Sequence, residues 1–504
     1  MDLARWIKRH AAFSPDRPAI RFENEVLTYG ALADEVETAA GRLRALGIRP
    51  GDVVGYLGFN SPLLLVLLFA CARLQAILTP LNWRLAAPEH ARILRDSAPR
   101  AVIVEPAFFE HARELRASMP GMAWIAAGQA PSDWQAWTAL ATAPGLGAEA
   151  AATDAPLVLC YTSGSTGVPK GVVLTQGALF WNAVNSTHMH DLTSADRILT
   201  TLPMFHVGGL NILTTPALHA GATVVLHAKF DAGAAIEAIE RERITLAVLV
   251  PAQLSAMMEH PRWETADLSS LRVITTGSTI VPAAFVHRIH ARGLRIIQIY
   301  GSTETCPIAA YQRVDDSERT AGAAGLPALH CDIRIVDFGG ADVAAGVDGE
   351  ILVRGPNVMR GYWNLPKASA EALRDGWYHS GDVGHLDAEG YLHVVARKTE
   401  MIISGGENIY PAEIENVLME CPDIADASVV GRADPRWGEA VIAVVVLCPG
   451  VCMNEQQVLA LLDGRIARYK RPREVRFMEA LPRTALGKVM KDKLRAAVVS
   501  ADVE

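Results

Sequence analysis

The sequence predicts a layered α/β fold built as more than one domain, and three observations carry that expectation. Short β-branched runs alternate with Ala/Leu/Glu/Arg-rich segments of helical period, as where Ala238–Arg243 is followed by Ile244–Val250. Alternation of this kind packs helices against a sheet. The chain has 504 residues, of which 50% are hydrophobic, which is ample for sizeable cores and more than one core usually holds. The charge pattern changes late: from Arg465 onward, Arg468, Lys470, Arg471, Arg473, Arg476, Arg483, Lys488, Lys491, Lys493 and Arg495 face few acids. A second domain is therefore expected to begin near residue 400.

Composition excludes several function classes. Charged residues make up 20% of the chain, and 47 basic against 55 acidic residues give a formal net charge of −8. No global field attracts nucleic acid, so any phosphate binding has to be local. The seven cysteines are scattered, with only a loose pair at Cys448 and Cys452. That usage predicts reduced thiols in a cytoplasmic protein, with no disulfide and no zinc. The longest apolar run, Leu63–Ala72, is too short to span a bilayer and is expected as a buried helix. Met1–His10 lacks a signal-peptide hydrophobic region, so no transmembrane or secreted form is expected.

The elements follow in order. Pro156–Cys160 reads as a strand, Val172–Leu174 continues as apolar chain, and a helix is expected from about Gln176. Between them lies YTSGSTGVPKG, Tyr161–Gly171. Gly164, Gly167 and Gly171 open dihedrals that let successive N–H groups face an anion. Thr162, Ser163, Ser165 and Thr166 add hydroxyl donors, and Lys170 a mobile positive charge. The loop is built for phosphate, yet it is not a Walker loop, because Lys170 follows Pro169 and precedes Gly171.

Three later segments make that loop specific. Leu294–Gln298 reads as a strand leading into IYGSTET, Ile299–Thr305. There Tyr300 can stack on adenine, Thr303 can donate to a phosphate, and Glu304 can hold Mg²⁺ through oxygen. Gly376–Gly384 presents Asp382 between glycines, where a carboxylate can accept two ribose hydroxyls or simply form a turn. Ala396–Glu415 joins Arg397, a short apolar strand, Gly405–Gly406 and a helix led by Pro411. Such a segment suits a domain junction.

Taken together, these motifs resemble the adenylate-forming acyl-CoA synthetases, the superfamily of fatty acyl-, aryl- and 4-coumarate-CoA ligases and luciferase. The likeness covers nearly the whole chain, from TYGALADEVETAAGRLRALGIRPGDVV and PLNWRLAAPE through PMFHVGG to PRTALGKVMKDKL. It implies a large N-terminal domain of layered α/β subdomains over residues 1–398 that binds ATP, Mg²⁺ and acid, and a small mobile α+β C-terminal domain over 399–504. The implied reaction has two halves: a carboxylate attacks the α-phosphate to give acyl-AMP and pyrophosphate, then coenzyme A displaces AMP. Two unit charges about 4 Å apart repel by about 4 kcal/mol at an effective dielectric near 20, about a thousandfold in rate. A cation between them offsets this.

The resemblance assigns that cation to Lys488, which lies in ALGKV and can reach across a domain interface. By the same likeness Tyr300 is the adenine-stacking aromatic, Thr303 the α-phosphate donor, Glu304 the metal-associated acid, and Asp382 and Arg397 the ribose contacts. Ser163 to Gly167 with Thr162 and Lys170 clamp the β- and γ-phosphates, and Gly277, Gly301, Ser302, Gly405 and Gly406 complete the nucleotide set. His206 corresponds to a residue that gates the acyl pocket; otherwise it is a core histidine in an apolar strand.

Two positions depart from the family pattern. Thr399 stands where relatives carry a hinge Asp or Lys, and Glu400 can share that role. Gln75–Ala76 stands where Gly–Ala is common and reads as a packing variation. Segments that line the acyl pocket in relatives are here Val207, Gly208, Gly209, Leu210 and Asn211, then Gly277 to Val281, then Cys306, Pro307 and Ile308. None is cationic, which disfavours a dicarboxylate, and the paired glycines suggest room for a chain or a flat ring. A medium- to long-chain fatty acid ranks first, an aryl or arylalkanoic acid second, and loading of a carrier protein third. A homodimer and a lysine acetyltransferase acting on Lys488 are the macromolecular partners the resemblance admits.

Overall fold

The computed structural model describes residues 2–143, 152–162, 169–278, 281, 283–337, 339–397, 400–404, 407–434, 437–463, 465–466, 468–484 and 487–500. Two large sheets and two smaller ones organise them. The first has eight strands; its central members, Ile77–Pro80, Val53–Leu57, Ala101–Val104 and Ala123–Ala126, run parallel. The antiparallel pair Pro156–Thr162 and Lys170–Thr175 extends it on one side, and Gly361–Tyr362 closes that edge. The second has nine strands, with a parallel centre from Pro18–Phe22 through Thr223–Leu226 and Arg197–Thr200 to Ile296–Tyr300. Parallel pairing needs crossover helices that cover both faces. These strands are accordingly buried along almost their whole length.

The helix Pro62–Leu74 holds the run Leu63–Ala72 expected to be buried, and residues from Leu64 to Ala72 are 4% exposed or less. Pro62 sits at its start, where the missing N–H is no loss. The helix ends at Gln75, which adopts a left-handed φ of 56°. Packing is therefore not what distinguishes this position. A backbone conformation that favours glycine is met here by a side chain that tolerates it at a cost. Other elements fall where expected: the helix Gln176–His190, and the helix Ala232–Glu242 followed by the strand Leu246–Val248.

A third sheet pairs Gly349–Arg354 with Trp377–Leu386, which in turn pairs with Leu392–Arg397. The smaller C-terminal part forms its own sheet around the long hairpin Ile424–Asp434 and Gly438–Leu447, flanked by Ile402–Ser404 and Glu474–Phe477. Its apolar residues, among them Ile414, Val429, Ala443 and Val458, pack with one another in a core of their own. The protein is thus a mixed α/β structure with a large N-terminal and a smaller C-terminal domain. Among the described residues, no helix is long and apolar enough to cross a membrane.

Candidate active site

The flanks of the glycine-rich segment form an antiparallel strand pair, and Ser163, Gly164, Ser165, Thr166 and Gly167 lie outside the described residues, as do Thr399, Gly405 and Gly406. The segment's two shoulders are strand, not loop: Thr162 pairs with Lys170 and Tyr161 with Gly171. Tyr161 donates to Asp96 Oδ2 at 2.5 Å, fastening the strand pair to the helix Ala87–Ser97. A strand pair brings residues eight apart in sequence face to face, so Lys170 is aimed by sheet pairing.

Glu304 sits on the short turn Thr303–Thr305 that follows the strand Ile296–Tyr300. A Cβ on Gly301 would lie 1.5 Å from the Pro307 carbonyl oxygen, so only glycine allows the chain to fold back here. Asn357 donates to the carbonyls of Thr305 (2.6 Å) and Ile308 (2.7 Å), and Met359 N–H donates to the Glu304 carbonyl at 2.7 Å. The Glu304 carboxylate accepts from the Tyr362 hydroxyl at 2.9 Å. Lys170 Nζ lies 5.1 Å from the centre of the same Tyr362 ring, within cation–π range.

Asp382 is in the strand Trp377–Leu386, not in a turn, and lies directly opposite Arg397 on the neighbouring strand. Arg397 Nε is 3.0 Å from Oδ1, and Tyr300 donates to Oδ2 at 2.9 Å. Burial is the largest influence on Asp382 and raises its pKa; Arg397 and the Tyr300 hydrogen bond oppose it. Tyr300 itself is held a phenol by burial and by that carboxylate. Tyr300, Asp382 and Arg397 thus form one connected group from three strands.

Lys488 comes from the C-terminal domain. Gly487, at φ 81°, and the bond from Thr484 N–H to the Lys488 carbonyl (2.7 Å) turn the chain just ahead of the helix Lys491–Ser500. Gly487 packs against the N-terminal domain: a Cβ there would be 3.0 Å from that of Ala252. Lys488 Nζ lies 3.7 Å from Glu400 Oε1, and Lys491 Nζ is 3.6 Å from the other oxygen. Burial first and Arg397 second lower the Lys488 pKa, while Glu400 and Asp382 raise it. The lysine therefore feels the Asp382–Arg397 pair across the domain boundary.

His206 comes from a separate segment of the N-terminal domain. It is not in a strand but immediately precedes the short helix Val207–Asn211. Its ring packs on Phe205 at 4.5 Å, and burial with Arg84 pushes its pKa down to about 4. Gly208 faces open space, with only Ile212 Cδ1 within 4 Å of a built Cβ (3.9 Å), and with Gly209 it borders a narrow crevice among Leu199, Thr200, Leu202, Leu213, Thr214 and Val248. Gly209 differs: a Cβ would meet the Pro203 oxygen at 2.4 Å. Gly277 likewise backs onto the Ile299 carbonyl at 2.7 Å. Of the paired glycines, then, only Gly208 makes room, and Gly209 and Gly277 allow close backbone packing.

Sequence reasoning did not find Tyr362, Tyr378 or Arg84. Tyr378 hydroxyl accepts from Ser302 Oγ at 3.4 Å and feels Glu304. A lone Gly–Tyr pair or an arginine after a tryptophan carries no signal in one sequence, because its partners are far away in the chain.

Regarding metal, no group of three or more ligating side chains occurs among the described residues. A single carboxylate with one oxygen engaged fits a magnesium ion held mainly by nucleotide phosphates, since that cation keeps most of its coordination for water and phosphate.

Residues 7–363 match the family described as AMP-binding enzyme, and residues 413–488 match the AMP-binding enzyme C-terminal domain. The chain is 57% identical to the indoleacetate–CoA ligase of Aromatoleum aromaticum, over 99% of this chain and 98% of that protein. It is 45% identical to a feruloyl-CoA synthase of Amycolatopsis sp, over 98% of each. The solved structure of ATP-bound MatB from Rhodopseudomonas palustris superposes with a TM-score of 0.91 at 29% identity, covering 99% of both chains.

Proposed function

The chain belongs to the AMP-binding enzyme family and is an acyl-CoA synthetase, an acid–CoA ligase that uses ATP and coenzyme A; from that premise we propose that its acid is arylalkanoic, of the indoleacetate type. The observation that carries this reading is the likeness at 57% over nearly the whole chain to a ligase named for indoleacetate, joined by one named for ferulate. Both acids carry an aromatic ring. The fatty acid ranked first from sequence thereby gives way to the aryl alternative. Val207, Leu210 and Ile308, from the segments expected to line the acyl pocket, are apolar and 6% exposed or less, which suits an uncharged acyl group.

On this reading the glycine-rich segment with Thr162 and Lys170 holds the outer phosphates, and Tyr300 carries adenine while Asp382 and Arg397 hold the ribose. Thr303 donates to the α-phosphate, and Glu304 holds Mg²⁺ brought in on ATP, which would neutralise phosphate charge. Lys488 supplies the positive charge between acid and phosphate. The 398/399 boundary is the proposed division of labour, with Lys488 presented to the Asp382–Arg397 pair as the first half-reaction requires.

The test is pyrophosphate release with a panel of acids, with and without coenzyme A. Indoleacetate, phenylacetate or ferulate should exceed hexanoate to palmitate in kcat/KM by about tenfold or more. A fatty acid at the head of the panel overturns the substrate reading. Acyl-AMP made without any thioester from free coenzyme A points instead to a carrier-protein acceptor.

A further inference from the structure

We propose that Tyr362 is a positioning residue of the phosphate site, serving both as a spacer that keeps Lys170 and Glu304 apart and as the donor that orients the Glu304 carboxylate. The inference rests on the reading of Glu304 as the magnesium-associated acid. Lys170 Nζ contacts the ring of Tyr362 (5.1 Å), and the hydroxyl of that ring donates to Glu304 Oε1 at 2.9 Å. Without the ring between them, a flexible ammonium and a carboxylate on facing elements would attract one another. Their union would cancel the two charges that the phosphates and the cation need.

The fold holds Tyr362 firmly enough for that work. Its segment is an edge strand on Lys170–Thr175, with Tyr362 opposite Val172. Trp363 N–H donates to the Gly171 carbonyl at 2.7 Å, and Tyr362 N–H donates to Ser369 Oγ at 2.8 Å. Trp363 Nε1 donates at 3.1 Å to the carbonyl of Asp96, the residue whose carboxylate fastens Tyr161 on the other shoulder. The ring is thus tied to the strand that carries Lys170 and to the helix that anchors the strand pair. The phenol hydroxyl donates to Oε1 at 2.9 Å. The second carboxylate oxygen is left for the cation.

Isothermal titration with ATP, once with Mg²⁺ and once with EDTA, tests both parts. Tyr362→Phe keeps the spacer and removes the donor: its MgATP affinity should fall about fivefold while metal-free ATP binds within about twofold of the parent. Tyr362→Leu removes both, and should weaken ATP in either condition. Glu304→Gln should lose the magnesium effect, and adding Tyr362→Phe to it should change nothing more. If Glu304→Gln loses that effect while Tyr362→Phe binds MgATP as the parent does, the inference on Tyr362 is overturned and the reading of Glu304 stands. If Glu304→Gln keeps it, the underlying reading falls. Matched melting temperatures of the parent and Tyr362→Phe establish that the comparison is between folded proteins.

Discussion

Replacing Asp382 with asparagine should weaken the hold on ATP while sparing the fold, because the same carboxylate is costly to bury and useful to a ribose. Asp382 is 6% exposed, and burial lifts its pKa above the ordinary 3.8. A raised folded-state pKa means that the native state binds the proton more tightly than the unfolded chain does. Stability therefore falls as pH rises from 3.8 through the folded value, and the charged form costs stability at neutral pH. Asparagine removes the charge but keeps both hydrogen bonds, and the Arg397 side chain that loses its counter-ion is half exposed and retains water. Its oxygen still accepts from Arg397 Nε, now 3.0 Å from Oδ1, and its nitrogen meets the Tyr300 oxygen, now 2.9 Å from Oδ2, which can accept as well as donate. The melting temperature of the nucleotide-free variant should stay within about 2 °C of the parent or exceed it. ATP binding should move the other way. A neutral amide forfeits charge-assisted hydrogen bonds to the ribose worth about 1.5–3 kcal/mol each, so the dissociation constant should rise about tenfold to a hundredfold. Scanning calorimetry and isothermal titration read both effects on one preparation. A melting temperature lower by more than about 5 °C, or an unchanged affinity for ATP, refutes the reasoning.

Lys488→Ala should slow pyrophosphate release about a thousandfold, the factor that anion repulsion near 4 Å imposes; a loss below about tenfold in a folded variant would remove the lysine from the reaction. Since burial and Arg397 lower its pKa from 10.5, release should show an alkaline limb below that pH, and Lys488→Arg should lack the limb. Burial holds His90, His190, His206 and His219 at about 4, against 6.5 when unfolded. The unfolded chain binds more protons between those values, so stability should drop as pH falls from about 6.5 to about 4, by about 1.4 kcal/mol per pH unit per histidine. Urea titrations across that range measure the slope, and a flat profile contradicts it. Gln75→Gly should raise stability by about 0.5–1 kcal/mol by relieving the left-handed residue at φ 56°; a lower urea midpoint would show that the Gln75 side chain contributes more than the strain.

What could be read from the chain was whatever depends on neighbours in sequence. The alternation of β-branched and helical segments set the layered α/β architecture, and the burial of Leu63–Ala72 followed from its composition. The ordered motifs around Tyr161–Gly171, Tyr300, Asp382, Arg397 and Lys488 marked the family. Gly208 and Gly209 show the limit, since two adjacent identical residues were read alike. Only the path of Pro203 past Gly209 assigns one to space and the other to packing. Gln75 shows it again, because a positive φ is a property of the helix end it closes.

Distances across the fold were decided by tertiary structure alone. Asp96 lies 65 positions before Tyr161 and Glu304 lies 58 before Tyr362, yet each pair shares a hydrogen bond. Such contacts depend on which strand pairs with which, and a residue's own identity carries no trace of that. So the sequence determined the family, and with it the use of ATP and coenzyme A. The tertiary structure decided how the charges are kept apart: a tyrosine ring between Lys170 and Glu304, and a buried carboxylate shared by Tyr300 and Arg397 within reach of Lys488. The reason is physical: Coulomb interactions and hydrogen bonds act through space and their strength depends on separation and burial, quantities that exist only once the chain has folded.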